Sequence, residues 1–193
     1  MIGIVNLGLA NVGSVQRALG RLGAEGSLRA TPDFRDCTHL ILPGVGHFGR
    51  AADLLTSAWR TALKDWIAAG RPLLGICLGY QLLFEGSSEA PEAKGLAILR
   101  GACQRVTSRL VPHMGWNRLK TEEPSGASFD GAFMYFTHSF APPAAGATWS
   151  CEDGAAPFGV GTVKGKVVGV QFHPEKSATD GSRLLKAFLE DWR

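Results

Sequence analysis

Charge is scarce in this sequence. Asp, Glu, Lys and Arg make up 19% of its 193 residues against 45% hydrophobic, and the formal net charge is +3. Disordered chains carry more charge and less hydrophobicity, so a folded core is expected. A chain of this length buries about 70% of its unfolded surface without help from disulfides or metals, and it reads as one domain. No basic stripe is present. The thirteen arginines are scattered, and the densest basic stretch (Arg100, Arg105, Arg109, Arg118, Lys120) is diluted by apolar residues, so no nucleic-acid partner is expected. No apolar run approaches the 18 or more residues of a membrane helix, and no membrane partner is expected. The opening MIGIVNLGLANVG lacks the cationic region of a signal peptide, which points to a cytoplasmic protein. The four cysteines (Cys37, Cys77, Cys103, Cys151) lie far apart with no CxxC pair, disfavouring zinc or redox use. Reduced thiols, no metal and no cofactor are expected.

What is present alternates strand and helix, the mark of an α/β fold. Ile2–Val5 is a short apolar strand. Val12, Val15, Leu19 and Leu22 recur at helical spacing, with Asn11 as a cap and Gly23 as a stop. His39–Leu42 reads as the second strand, ended by Pro43-Gly44. A helical stripe, one helix or two, runs from Leu54 to Ile67 and closes at Gly70 and Pro72. Leu73–Ile76 is a third strand, followed by a short helix through Leu82, Leu83 and Phe84. From residue 96 short strands and turns dominate, including Phe133–Thr137 and the GTVKGKVVGVQF stretch. Ala141–Ala147 reads as a loop. A last helix places Leu184, Leu185, Phe188, Leu189 and Trp192 on one face.

Most motifs that promise chemistry fail on inspection. Gly8-Leu-Ala-Asn-Val-Gly13 has Walker-like spacing, but Ser14 stands where the lysine belongs. Gly44-Val-Gly46-His-Phe-Gly49 fits GxGxxG but follows an inner strand, and such matches are common by chance. His173-Pro-Glu175 is the HxE half of a zinc deaminase without its PCxxC. Gly75-Ile-Cys77-Leu-Gly79 is stronger. A strand, then Gly-x-Cys-x-Gly, then a helix is the thiol form of the nucleophile elbow, and the helix N-terminus favours a thiolate. A free cysteine is often only a small buried hydrophobe, but the bracketing glycines favour the nucleophile. A thiol nucleophile needs a base, and the base an orienting group. Of His39, His47, His113, His138 and His173, the last stands out because it ends a strand with Glu175 two residues on. In extended backbone residues two apart share a face, so Glu175 can fix its tautomer. His138 remains an alternative base or a hydrogen-bonded strand-end residue, while His39 and His47 read as structural or surface residues.

These motifs together carry a resemblance. Gly-Ile-Cys-Leu-Gly-Tyr-Gln (75–81) with Gly-Val-Gln-Phe-His-Pro-Glu (169–175) resembles the class I (triad) glutamine amidotransferases. Within them, Pro-Gly-Val-Gly (43–46), Pro-His-Met-Gly-Trp-Asn (112–117), Tyr-Phe-Thr-His-Ser (135–139) and His-Pro-Glu-Lys-Ser (173–177) are similar to the glutaminase subunits of imidazole glycerol phosphate synthase. The resemblance runs the whole chain. It departs at Asn6-Leu7 and Ala10, near the first loop, and at Phe140, where a tyrosine is common.

The resemblance implies a flavodoxin-like single domain over residues 1–193. Its central sheet would be mixed but mostly parallel and flanked by helices, with a smaller antiparallel sheet. It implies L-glutamine as substrate, a Cys77–His173–Glu175 triad, and an oxyanion hole from the Leu78 N–H and an N–H of the Gly44-Val45 segment. Gln81 and Glu89 would hold glutamine, Glu89 through the ammonium, with the His138-Ser139-Phe140 backbone at the α-carboxylate. Asn11, Tyr135 and Lys176 would face a partner, a (β/α)₈-barrel cyclase subunit that receives the ammonia in histidine biosynthesis. A glutaminase of vitamin B6 or anthranilate synthesis, and more distantly a thiol peptidase, remain open alternatives.

Overall fold

The computed structural model describes residues 1–153 and 156–190. β1 (Ile2–Val5) leads into α1 (Val12–Arg21), followed by β2 (Gly26–Arg29) and β3 (His39–Gly44). α2 (Phe48–Leu54) and α3 (Ser57–Ala68) precede β4 (Leu73–Cys77) and the four-residue α4 (Leu78–Gln81). A run of short strands follows: β5 (Gly86–Ser87), β6 (Ala102–Arg105), β7 (His113–Arg118), β8 (Phe133–His138), β9 (Phe140–Ala141) and β10 (Trp149–Cys151). β11 (Phe158–Lys164), β12 (Val167–Val170) and α5 (Ala178–Glu190) complete the described chain.

Seven strands form the central sheet in the order β10-β11-β12-β4-β3-β1-β2. β12, β4, β3, β1 and β2 are parallel, while β10 and β11 run antiparallel at one edge. β7 and β8 make a separate antiparallel pair, and β5, β6 and β9 a small third sheet. The inner parallel strands are buried throughout, which is why they read as near-continuous apolar runs. Their side chains alternate between two cores. Ile4, Ile41, Leu74 and Val168 pack with Val15 and Leu19 of α1 and Leu184 and Phe188 of α5. Leu40, Leu42, Leu73 and Val167 pack on the other face with Phe48, Trp59, Leu63 and Trp66. A period of two along each strand therefore puts one helical layer on each side of the sheet.

Several boundaries differ from the sequence reading, each for a tertiary reason. β3 runs through Pro43 to Gly44 because Pro43 and Gly44 pair with Ile76 and Cys77 of β4. β2 is unannounced by its sequence, since Gly-Ser-Leu-Arg is a half-buried edge strand without an apolar run. The 54–67 stripe is two helices, and α2 begins already at Phe48. Arg60 of α3 divides them by donating to the Leu55 and Ala52 carbonyls at 2.8 and 3.1 Å, which closes the end of α2. The helix expected through Leu82–Phe84 stops at Gln81. Carbonyls that would continue it are taken by the next loop: Leu96 N–H donates to Leu82 and Ile98 N–H to Leu83, at 2.7 and 2.9 Å. On α5, Leu184, Leu185 and Phe188 are buried as expected, while Trp192 lies outside the described residues.

Candidate active site

The C-terminal ends of β3, β4 and β12, adjacent in the sheet, converge on one spot, the usual ligand edge of a parallel sheet. Cys77 stands there between β4 and α4 with φ +54 and ψ −111, a conformation a non-glycine residue holds only when its surroundings impose it. The imposing contact is Gly79. A Cβ at that position would lie 1.8 Å from the Leu42 carbonyl oxygen, so α4 sits directly on β3 and the chain must turn sharply at Cys77. The glycines beside the cysteine thus serve close approach, and the turn strain rests on Cys77 itself.

His173 follows β12 and is 2% exposed. Its backbone is clamped on both sides. The His173 N–H donates to Tyr135 O at 2.9 Å, and Ser177 Oγ donates to His173 O at 2.6 Å while accepting from Tyr135 N–H at 2.9 Å. Nδ1 meets Glu175 Oε1 at 2.8 Å, with both side chains about 3% exposed. The pairing comes from a 3₁₀ turn over Pro174–Lys176 rather than from extended backbone, which corrects the sequence argument while keeping its two residues together. Burial alone would lower this imidazole. Cys77 and then Glu175 outweigh it and hold His173 up at about 9. Its Nε2 is buried with no hydrogen-bond partner among the described residues. The other three thiols are pushed up by burial, Cys151 to about 12, and stay protonated.

A cavity of about 290 Å³ opens in front of this group, walled by Val45, Gly46, Cys77, Leu78, Gln81 and Glu89. His138, Ser139, Phe140 and His173 form the opposite wall. A larger hollow of about 660 Å³ beside Lys120 and Glu152 is lined by no cysteine or histidine. Glu89 is half-buried, and its Oε2 accepts the Phe48 N–H at the start of α2, at 2.7 Å. Gln81 is buried and donates through Nε2 to Phe140 O at 2.8 Å. His138 donates from Nδ1 to the same carbonyl at 3.0 Å, and burial with the neighbouring His113 lowers it to about 3, so it is held neutral as a hydrogen-bonded strand-end residue.

Two expected site residues behave differently. The Val45 N–H donates to Leu9 O at 2.7 Å, so this donor is turned to the β1–α1 loop and not to Cys77. Gly44 has no positive φ; its constraint is space, since a Cβ there would meet Gly79 N and Leu78 Cβ at 3.0 Å. Gly46, at φ +103, is the residue with the left-handed backbone. Asn11 is exposed and caps α1, accepting from Ser14 N–H. Lys176 is exposed, with Nζ 6.0 Å from the ring centre of the half-buried Tyr135. His47 caps α2, and His39 is buried in the core. The sequence reading missed Gln171, whose Nε2 lies 3.6 Å from Cys77 Sγ, and Ser177, which clamps His173. Both were visible only as letters inside quoted motifs. Among the described residues no cluster of three or more His, Cys, Asp or Glu is arranged to hold a metal, and no helix is long and apolar enough to cross a membrane.

A family model for glutamine amidotransferase class-I matches residues 5–192. The imidazole glycerol phosphate synthase subunit HisH of Bacillus cereus is 39% identical over 212 residues, covering 100% of this chain and 97% of that protein. The chain belongs to the class-I glutamine amidotransferases, in the HisH family. Its HisH relative from Thermococcus kodakarensis is 41% identical over 97% of this chain and 98% of its own length. This amidotransferase shares its fold with a solved structure titled PurLQS from Thermotoga maritima, at TM-score 0.78 and 19% identity over 100% of this chain and 98% of that one. A glutamine amidotransferase crystal structure matches at TM-score 0.74 and 21% identity, over 99% and 98% of the two chains. As a class-I amidotransferase the chain is an enzyme that hydrolyses glutamine.

Proposed function

We propose that Cys77, His173 and Glu175 hydrolyse the side-chain amide of L-glutamine and that the ammonia passes to a (β/α)₈-barrel cyclase subunit. The observation that carries this reading is the strained Cys77 lining one cavity with His173, whose Nδ1 is paired to the buried Glu175 behind it. Sγ, its proton taken by His173, attacks the amide carbon, and the carbon–nitrogen bond breaks as His173 returns that proton to the departing ammonia. Water, deprotonated by the same imidazole, then attacks the thioester and frees glutamate. Glu175 accepts the Nδ1–H and keeps Nε2 turned to the sulfur. The Leu78 N–H, at the first residue of α4 and so without an intrahelical partner, serves as one oxyanion donor. Gln81, Glu89 and the 138–140 backbone, which wall the cavity, seat the substrate.

Ammonia released at neutral pH is protonated and lost as a nucleophile, so a glutaminase of this size works beside a synthase. The HisH relatives are named as subunits of imidazole glycerol phosphate synthase, and their likeness over the full chain supports the cyclase as partner and residues 1–193 as one domain. The exposed Met114 and Trp116 on β7, with the Trp116–Tyr135 ring pair and Lys176 beside them, support a partner-facing surface there. Four buried free cysteines fit a cytoplasmic setting. The test is Cys77→Ala in the reconstituted complex. Glutamine-dependent synthesis should vanish while synthesis from added ammonium salts at high pH persists. Loss of both would refute the separation of the two chemistries.

A further inference from the structure

A backbone carbonyl only accepts hydrogen bonds, so it fixes the orientation of any amide that meets it. The Phe140 carbonyl receives Gln81 Nε2 at 2.8 Å, and Gln81 must therefore present its NH₂ group there. The same NH₂ reaches Gln171 at 3.0 Å, which commits the Gln171 side-chain oxygen as acceptor. What remains of the Gln171 amide is its NH₂, and it lies 3.6 Å from Cys77 Sγ. One carbonyl, acting through two buried amides, thus dictates that the sulfur faces an N–H and not an oxygen.

The other side of that carbonyl is equally directed. His138 donates to it from Nδ1, so in the neutral ring Nε2 is an acceptor, filled by His113 Nδ1–H at 3.0 Å. His113 Nε2 in turn accepts from Asn117 Nδ2 at 3.3 Å. Burial lowers both imidazoles, so they stay neutral and the direction does not reverse. Gln171 itself is fully buried, and its backbone N–H donates to Val160 O at 2.8 Å, which anchors it on β11.

We propose that Gln171 donates a hydrogen bond to the nucleophilic sulfur of Cys77, favouring thiolate over thiol, with the direction of that donation set by the Phe140 carbonyl through Gln81. The proposal rests on Cys77 being the nucleophile. Hydrogen bonds to an anionic acceptor are stronger than those to its neutral form, so the donor selects the reactive species. It also places Gln81, on the substrate wall, and the sulfur on one hydrogen-bonded chain.

The test is the rate of Cys77 alkylation by iodoacetamide across pH 5 to 10 in the full chain, with Cys77→Ala as the background. Gln171→Met keeps the volume and removes the donor. Its alkylation rate at pH 7 should fall about tenfold, with the pH midpoint raised by about one unit and the high-pH plateau unchanged. Gln171→Asn, one methylene shorter, should move the midpoint the same way. A purely structural role would change the plateau through altered access and leave the midpoint in place. Unmoved midpoints in both variants would overturn the proposal. An independent reading needs no Gln171 variant to fold: the Gln171 side-chain amide protons should shift in the NMR spectrum of Cys77→Ala, and identical resonances would equally overturn it. Retained glutaminase activity in Cys77→Ala would instead overturn the nucleophile assignment, and the alkylation profiles would still report on the contact.

Discussion

His173 and His138 are both buried, and their neighbours send them in opposite directions. His173 is lowered by burial but raised more by Cys77 and Glu175, to about 9, while His138 is lowered by burial and by His113 to about 3. Unfolded, both titrate near 6.5. The stability from His173 is therefore full below about pH 6.5 and is lost as the pH rises through about 9. That from His138 is full above about pH 6.5 and is lost as the pH falls toward 3. Glu175→Gln should leave the fold intact, flatten the loss of stability between pH 6.5 and 9, and cut glutaminase turnover by up to about 10⁴ through the wrong tautomer. Urea unfolding at the two pH values and turnover in the complex check it; an unchanged slope with near-native turnover would remove Glu175 from the triad. At this scale the sequence was informative. The strand–turn–cysteine pattern and the His-Pro-Glu run pointed to three side chains, Cys77, His173 and Glu175, that the fold brings to one place. Gln171 and Ser177 were not legible, because a buried amide or hydroxyl has no sequence signature until its partners are in place.

The elbow is an element held by its neighbours. α4 has only four residues, too few to sustain the dipole of a long helix, so the environment of Cys77 depends on local donors more than on a macrodipole. Its seat on β3 requires Gly79, where a Cβ would fall 1.8 Å from a backbone oxygen that no rotamer change can move. Gly79→Ala should therefore destabilise the chain by at least about 3 kcal/mol, the upper range for forcing atoms into a packed interior. Chemical denaturation measures it directly, and a loss under about 1 kcal/mol would mean that α4 can lift from the sheet. Here the sequence reading had the glycines and their flanking cysteine but not the reason for them, since Leu42 lies 37 positions from Gly79 and only the β3–β4 pairing brings it close.

For the molecule as a whole, the orientation of the Val45 N–H matters most. Under the proposed mechanism an N–H of the Gly44-Val45 segment would be the second oxyanion donor; the Val45 N–H is bound to Leu9 O at 2.7 Å instead, and one missing donor costs on the order of 10²–10³ in rate. The isolated chain should accordingly be nearly silent toward glutamine and speed up by about that factor with the proposed cyclase partner and its own substrate bound. Val45 and Gly46 are exposed, and Gly46 already holds a positive φ, so a partner seated over them can bias the segment. Moving it from 1:99 to 99:1 takes about 5.5 kcal/mol of differential binding. Steady-state glutaminase assays of the chain alone, with cyclase, and with cyclase plus ligand decide the point; three equal rates would rule out the switch.

The alternation of strand and helix and the gathering of Cys77, His173 and Glu175 as candidate nucleophile, base and carboxylate were legible in the sequence alone. They depend on local periodicity and on short motifs whose residues act within a few positions of one another. Tertiary structure decided what depends on groups far apart in the chain. It set the direction of the Val45 N–H toward Leu9, the division of α2 from α3 by Arg60, the bond of Glu89 to the Phe48 N–H, and the polarity of the Gln81–Gln171 amides. A hydrogen bond between residues 36 or 90 positions apart leaves no periodic trace in either segment, because its geometry exists only once the sheet has set them side by side.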